Sequence, residues 1–263
     1  CVHCRIVSSV IEICSAKKSY MRKFVFVVLW ILLVGGTAAV GWLFWSINEG
    51  RIGYMPEMEQ LSNPVDKFAS QVLTCDGKLM GTYSYGATNR IFTEYDSISP
   101  YMIQALIATE DERFYEHAGI DFKALIRAIV KRGILRQKSA GGGSTITQQL
   151  AKQLYSERVE TAMERMFQKP IEWMIALKLE RFYTKEEIIT MYLNYFDFLY
   201  NAVGIKTASR TYFSKEPEQL SIEEAALLVG MCKNPSYYNP MRMPERALER
   251  RNTVIGQMVR SGY

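Results

Sequence analysis

The longest uninterrupted apolar stretch runs from Phe24 to Asn48 and holds no charged residue. A helix needs about 20 such residues to cross a bilayer, so the stretch predicts a transmembrane helix. Trp42 and Trp45 fall near its far end, where aromatic side chains favour the headgroup region, while Trp30 is central. Lys17, Lys18, Arg22 and Lys23 precede the run and Glu49 follows it. This asymmetry places the N-terminus in the cytoplasm and residues 49–263 outside, anchored in the inner (cytoplasmic) membrane by a single pass. A cleaved signal peptide is the competing reading. Against it, the run is longer than a typical signal core and no clear small-x-small site closes it.

Beyond the anchor the pattern changes twice. Residues 50–70 read as a polar connector broken by Pro56 and Pro64. QVLTC and KLMGTYSY flank Asp76-Gly77, a hairpin signal because that dipeptide supplies the positive φ of a tight turn. Asn89 to Thr93 predicts a third short strand. From residue 99 the period is helical. Ser99-Pro100 opens one helix, and Asp121 caps a second over 122–136, with Leu125, Ile126, Ile129, Val130 and Ile134 on a broad apolar stripe. Gln137 to Gly143 is flexible by composition, and a helix begins at Ser144 or Thr145, where Thr145-x-x-Gln148 reads as a capping box. Residues 159–182 read as helix, kinked or split by Pro170. Thr184-x-x-Glu187 and Ser221-x-x-Glu224 cap two more, and Pro244 opens a last helix that Gly262 ends. The expected layout is a cytoplasmic segment (1–23), an anchor (24–48), a connector with a short β segment (49–98) and a mainly α domain (99–263).

Charge changes this picture little. The chain has 263 residues and a net charge of +5, but five basic residues against Glu12 lie within residues 1–23. The rest is nearly balanced, which excludes a basic nucleic-acid binder. Cysteine adds little. Cys1-x-x-Cys4 is half a zinc site with no second pair, and nothing in the spacing of Cys75 and Cys232 favours a disulfide. Met21 directly precedes Arg22-Lys23 and the apolar run, and is the expected true start.

Three stretches carry candidate chemistry. Glu110 to His117 holds four carboxylates in seven residues at the end of an apolar helix, where acidic groups oppose the helix dipole. They form either a solvated helix end or a cleft rim holding a general base. Gly141 to Lys152 combines three glycines with Ser144, Thr145, Thr147, Gln148 and Gln149, neutral groups suited to a polyhydroxylated sugar. Its helix N-terminus favours phosphate oxygens and Lys152 follows, although a glycine linker before a capped helix has the same composition. Glu172 sits among Ile171, Trp173, Met174 and Ile175, three residues after Lys169. It is a surface ion pair or a partly buried carboxylate with a partner.

EDERFYEHAGID, GGSTITQQLAKQL, KPIEWMIALKLE, KEEIITMYLN and EAALLVGMCKNPSYYNP, in that order, resemble the five motifs of one family. That family is the glycosyltransferase domain of class A penicillin-binding proteins and monofunctional peptidoglycan glycosyltransferases. The resemblance spans about residues 99–262 and implies a mainly α, two-lobed, lysozyme-like domain with a short N-terminal β segment and one transmembrane helix. It implies Glu110 as catalytic base and Glu172 as second essential carboxylate. It implies substrate contacts from Asp111, Phe114, Ser144, Thr145, Thr147, Gln148, Gln149, Lys152, Lys169 and Asn194. Two departures stand out. Gln168 occupies a position that is usually Arg, which Arg165 one turn earlier would replace. Leu199, Tyr200 and Asn201 stand where the family usually has glycines.

The implied reaction polymerises lipid II into β-1,4-linked glycan with inversion and release of a lipid diphosphate. The implied partners are lipid II, the growing lipid-linked strand, the membrane and a cell-wall synthesis complex, with no nucleic acid. No tightly bound cofactor or protein metal site is expected; Mg²⁺ or another divalent cation travels with the substrate diphosphate. A lysozyme-like hydrolase also fits two carboxylates, but the basic residues and anchor suit a lipid diphosphate better. A non-catalytic scaffold is disfavoured by the presence of both carboxylates. Ser15-x-x-Lys18 matches a transpeptidase pattern by letters alone and precedes the anchor, and no Lys-Thr-Gly follows. The chain is expected to be the N-terminal part of a bifunctional penicillin-binding protein or a monofunctional relative.

Overall fold

The computed structural model of the chain describes residues 2–53, 55–56, 70–76, 79–83, 90–130, 143–155 and 162–263. Helix α1 (Val2–Asn48) contains the apolar stretch, and Met21–Asn48 is long and apolar enough to cross a membrane. Its apolar side chains from Phe24 to Val34 are exposed. Residues up to Ile52 form one unit, in which the Arg51 guanidinium lies 4.5 Å from the Trp45 ring centroid. Gly53–Tyr263 forms the second.

The second unit is mainly helical with one short sheet, as the periodicity predicts. Strands β1 (Ser70–Leu73) and β2 (Leu79–Tyr83) pair antiparallel, Ser70 opposite Tyr83, in the hairpin that Asp76-Gly77 forecasts. The third strand is not formed among the described residues. The N–H and C=O of Thr93 are bound by the Asn194 amide at 2.9 and 2.8 Å, so no ladder partner is needed.

Helix α2 (Pro100–Glu110) begins at its proline. Ser99 stands at the N-cap, yet its hydroxyl donates to the Leu220 carbonyl at 2.9 Å instead of serving the helix. Asp121 caps α3 (Phe122–Ile129) by accepting from the Ala124 N–H at 2.9 Å. The forecast continuation through residue 136, with residues 137–142 of the glycine stretch, lies outside the described residues. Helix α4 (Ile146–Tyr155) is capped by Thr145, whose Oγ1 accepts from the Gln148 N–H at 3.2 Å. The reciprocal half of the box is missing because the Gln148 amide donates to the Gly119 carbonyl at 3.1 Å.

Helix α5 (Ala162–Phe182) runs through Pro170 without splitting. A proline removes one backbone hydrogen bond, and burial of Ile175, Ala176 and Leu179 on the next turns holds the helix across the gap. Helix α6 (Lys185–Tyr195) carries the forecast capping box of Thr184 and Glu187. Helix α7 (Ile205–Phe213) was not legible in the pattern. It starts at Gly204, where φ is 86° and an added Cβ would lie 2.7 Å from the Asn194 carbonyl oxygen, so glycine is required. Helix α8 (Ile222–Cys232) has the Ser221 and Glu224 box, and α9 (Pro244–Arg260) ends before Gly262 at φ 83°.

Helices α2, α8 and α9 pack on one another, and α4 packs on both α5 and α6. Met102, Leu106, Phe114, Ile146, Leu150 and Tyr192 belong to one core that joins the two groups. The C-terminus of α2 thereby meets the first turns of α4.

The loop after α6 shows what replaces the family's glycines. Leu199, Tyr200 and Asn201 have φ of 67°, 52° and 60°. The turn is held by Phe198 N–H to Ala202 O at 3.0 Å, Leu199 N–H to Asp197 Oδ1 at 2.8 Å, and burial of Phe198. The left-handed region costs a side chain about 1–2 kcal/mol, against roughly 0.5–1 kcal/mol by which glycine loosens the unfolded chain. Leu199→Gly is therefore expected to raise the unfolding free energy by about 0.5–1 kcal/mol. Chemical denaturation measures this, and an unchanged or lower midpoint contradicts the strain.

Candidate active site

Glu110 is the last residue of α2, half-buried where the helix meets α4. Its Oε2 accepts from Gln149 Nε2 at 2.7 Å, and Gln149 Oε1 accepts from the Tyr192 hydroxyl at 3.1 Å. Three helices thus converge on one carboxylate. Burial foremost, with neighbouring Cys232 and Glu110 adding to it, pushes the Tyr192 hydroxyl well above the usual tyrosine range. Burial and the Glu110 charge likewise push up the Cys232 thiol. Cys75 is exposed and Cys232 buried, both as free thiols.

The other carboxylates of the crowded stretch take separate tasks. Asp111 is buried and accepts from the Ile146 N–H at 3.2 Å at the start of α4. Both its oxygens lie 3.0 Å from His117 Nε2. An acid there offsets the N-terminal partial charge of α4. Phe114 is fully buried, with the Lys185 ammonium 4.3 Å from its ring centroid. Arg113 spans both oxygens of Asp121. Burial by itself would raise the Asp121 carboxyl, but the Ala124 N–H and Arg113 outweigh it and hold it below its ordinary range. Glu112 and Glu116 are exposed. With Arg113, Lys123 and Arg127 they line a polar cavity of about 600 Å³ that holds neither Glu110 nor Glu172.

The polar run on α4 divides by helical direction. Thr145 Oγ1 donates to the Gly119 carbonyl at 2.7 Å, and Thr147 Oγ1 to Glu180 Oε1 at 2.6 Å. Thr145, Thr147 and Gln148 are buried, Gln149 turns to Glu110, and Lys152 is exposed. Lys152 follows Gln149 by three residues and so shares its face. No ion-pair partner reaches Lys152 among the described residues. Lys169 Nζ donates to Glu172 Oε2 at 2.6 Å and to Ser144 Oγ at 3.0 Å. The Lys169 side chain is 53% exposed and that of Glu172 3%, so this is a buried carboxylate with a cation reaching outward rather than a surface pair. The side chain of Arg165 lies outside the described residues.

Asn194 is fully buried. Its Nδ2 donates to the Thr93 and Thr190 carbonyls at 2.8 Å each, and its Oδ1 accepts from the Thr93 N–H. Its amide is thus spent on the backbone, away from solvent. Sequence reasoning passed over Tyr192, His117 and the Glu180–Lys185 pair at 2.8 Å. Lys185 also donates to the His117 carbonyl at 2.6 Å. Only His117, inside the acidic stretch, carried a signal. Tyr192 reads as one more aromatic in an apolar run, because its ring is core and only its hydroxyl reaches Gln149.

The family described as Transglycosylase matches residues 76–259. The chain is 40% identical over 212 residues to Penicillin-binding protein 1A of Aquifex aeolicus, covering 80% of this chain and 28% of that protein. Identity to Penicillin-binding protein 1A of Escherichia coli is 36% over 209 residues, covering 80% and 24%. A crystal structure of Penicillin-Binding Protein 1A from Haemophilus influenzae aligns at 23% identity and a TM-score of 0.37, covering 73% of this chain and 18% of that one. The chain spans about a quarter of the length of these curated relatives. The family match covers well over half of the chain, from the hairpin turn to the end of α9, and the chain belongs to the transglycosylase family.

Proposed function

We propose that this chain is a peptidoglycan glycosyltransferase that polymerises lipid II. The observation that carries the reading is the half-buried Glu110 carboxylate, held by Gln149 beside a helix that also presents Lys152, with family membership as its frame. Glu110 accepts the proton of the 4-hydroxyl on an incoming lipid II. That oxygen attacks the anomeric carbon of the growing chain's terminal sugar opposite the leaving group, converting α to β. The leaving lipid diphosphate is already acidic, so the site needs cations more than a strong general acid. Lys152 and Lys169 supply them, with Arg165 in place of the arginine that Gln168 displaces. Glu172 keeps Lys169 aimed at Ser144 and the start of α4. A divalent cation, where present, arrives as part of the substrate diphosphate.

In this reading Met21–Asn48 anchors the chain by a single pass in the cytoplasmic membrane, with residues 49–263 outside. The growing lipid-linked strand, the membrane and a cell-wall synthesis complex are its partners. The test is incubation of the purified chain in detergent with lipid II. Lysozyme-sensitive glycan and free lipid diphosphate are the expected products. Release of muropeptides from preformed glycan without polymer would establish a hydrolase, and neither product a scaffold.

A further inference from the structure

We infer that Tyr192 is a positioning residue that acts through Gln149 to fix which oxygen of Glu110 takes the proton. The inference rests on the proposed role of Glu110 as base. A carboxylate has no proton to give, so Gln149 must present Nε2 to Glu110 Oε2, at 2.7 Å. Its Oε1 then points the other way, and an amide oxygen only accepts, so the Tyr192 hydroxyl donates to it, at 3.1 Å. The direction of every hydrogen bond in the chain is thus set from Glu110 backwards. Without the Tyr192 hydroxyl, no other hydrogen bond to Gln149 Oε1 among the described residues opposes a flip of the amide, which would turn an oxygen lone pair toward the carboxylate.

The network is a fixed dipole and not a proton wire. Tyr192 is buried in the core, and burial foremost keeps its hydroxyl protonated. Cys232, which interacts with that hydroxyl, is kept as a thiol for the same reason, and its Sγ lies 3.6 Å from the Leu228 carbonyl. The titratable groups that feel Glu110 from the packed helices are Tyr192 on α6 and Cys232 on α8. Arg250 on α9 acts on Cys232, and α4 contributes the neutral Gln149. No described group behind Glu110 therefore takes a proton onward. Oε2 is occupied, no donor reaches Oε1 among the described residues, and Oε1 is the atom that accepts the sugar proton.

The test compares Tyr192→Phe, Gln149→Met and the double variant of the full chain in the lipid II assay. Tyr192→Phe is expected to lower kcat about tenfold with KM within about twofold, because orientation of the base is lost while the substrate surface is kept. Adding Tyr192→Phe to Gln149→Met should cost nothing further, since the hydroxyl acts only through the amide. A mere packing role for Tyr192 predicts independent, multiplicative losses, and that result overturns the inference. Should Tyr192→Phe fail to fold, Gln149→Met cuts the same network at a half-buried position, and a wild-type kcat there overturns it equally. Glu110→Gln run alongside separates the two levels. If that variant keeps turnover, the base reading has failed; if it is inactive while Tyr192→Phe matches wild type, only this inference has.

Discussion

Glu110→Gln is expected to reduce lipid II polymerisation by roughly 10² or more while leaving the fold intact. The argument is one of shape against basicity. Glutamine matches glutamate in length and volume, and its amide oxygen still accepts from Gln149 Nε2 in place of Oε2. The packing of α2 on α8 and α9 is untouched, so the thermal midpoint should move little. What disappears is the oxygen that takes the proton of the attacking hydroxyl. A loss confined to kcat identifies a role in the transition state rather than in ground-state binding. Near-normal turnover by folded, purified Glu110→Gln protein removes Glu110 from the role.

How much was legible in the sequence depended on how local the physics was. Asp121, Thr184 and Ser221 each bind a backbone N–H three residues on, and all three caps were readable from spacing. The hairpin at Asp76-Gly77 is equally local. Ser99 failed as a cap because its partner, Leu220, lies 121 residues away. The run Thr145 to Gln149 looked uniform on paper as a surface for sugar hydroxyls. The helical turn separates it, so that Thr145 and Gln148 reach back to Gly119, Thr147 crosses to Glu180, and Gln149 alone faces Glu110. Asn194 entered only through the resemblance, as a substrate contact, and its partners are backbone groups of Thr93 and Thr190. A polar side chain at a core position reports that something needs a hydrogen bond. It does not report whether that something is a ligand or the chain itself.

The same limit, seen from the exposed side, bears on the membrane. The apolar pattern of 122–136 predicts an amphipathic helix without saying which face is free. In α3 the free face is defined: Phe122 and Ile126 are 64% and 62% exposed and Val130 is exposed one turn on, while Ala124 is buried and Leu125 half-buried. Spacing of four residues puts Phe122, Ile126 and Val130 in one stripe. Lys123 and Arg127 are exposed beside it. Ile134, Lys131, Arg132, Arg136 and Lys138 of the predicted helix lie outside the described residues, as does the side chain of Ile129. An apolar stripe flanked by cations suits an interface with anionic lipid. The proposed reaction supplies a reason for it, because the substrate's lipid stays in the bilayer while its sugars enter the site. The test uses residues 49–263 with liposomes containing anionic lipid. Each inserted side chain is worth about 1.5 kcal/mol or more, so Phe122→Glu with Ile126→Glu should weaken partitioning on the order of 10²-fold. Wild-type binding should fall as salt screens Lys123 and Arg127. Both substituted positions face solvent, so the unfolding midpoint should hold. If the folded double variant co-sediments with liposomes as strongly as wild type, α3 is not the membrane contact.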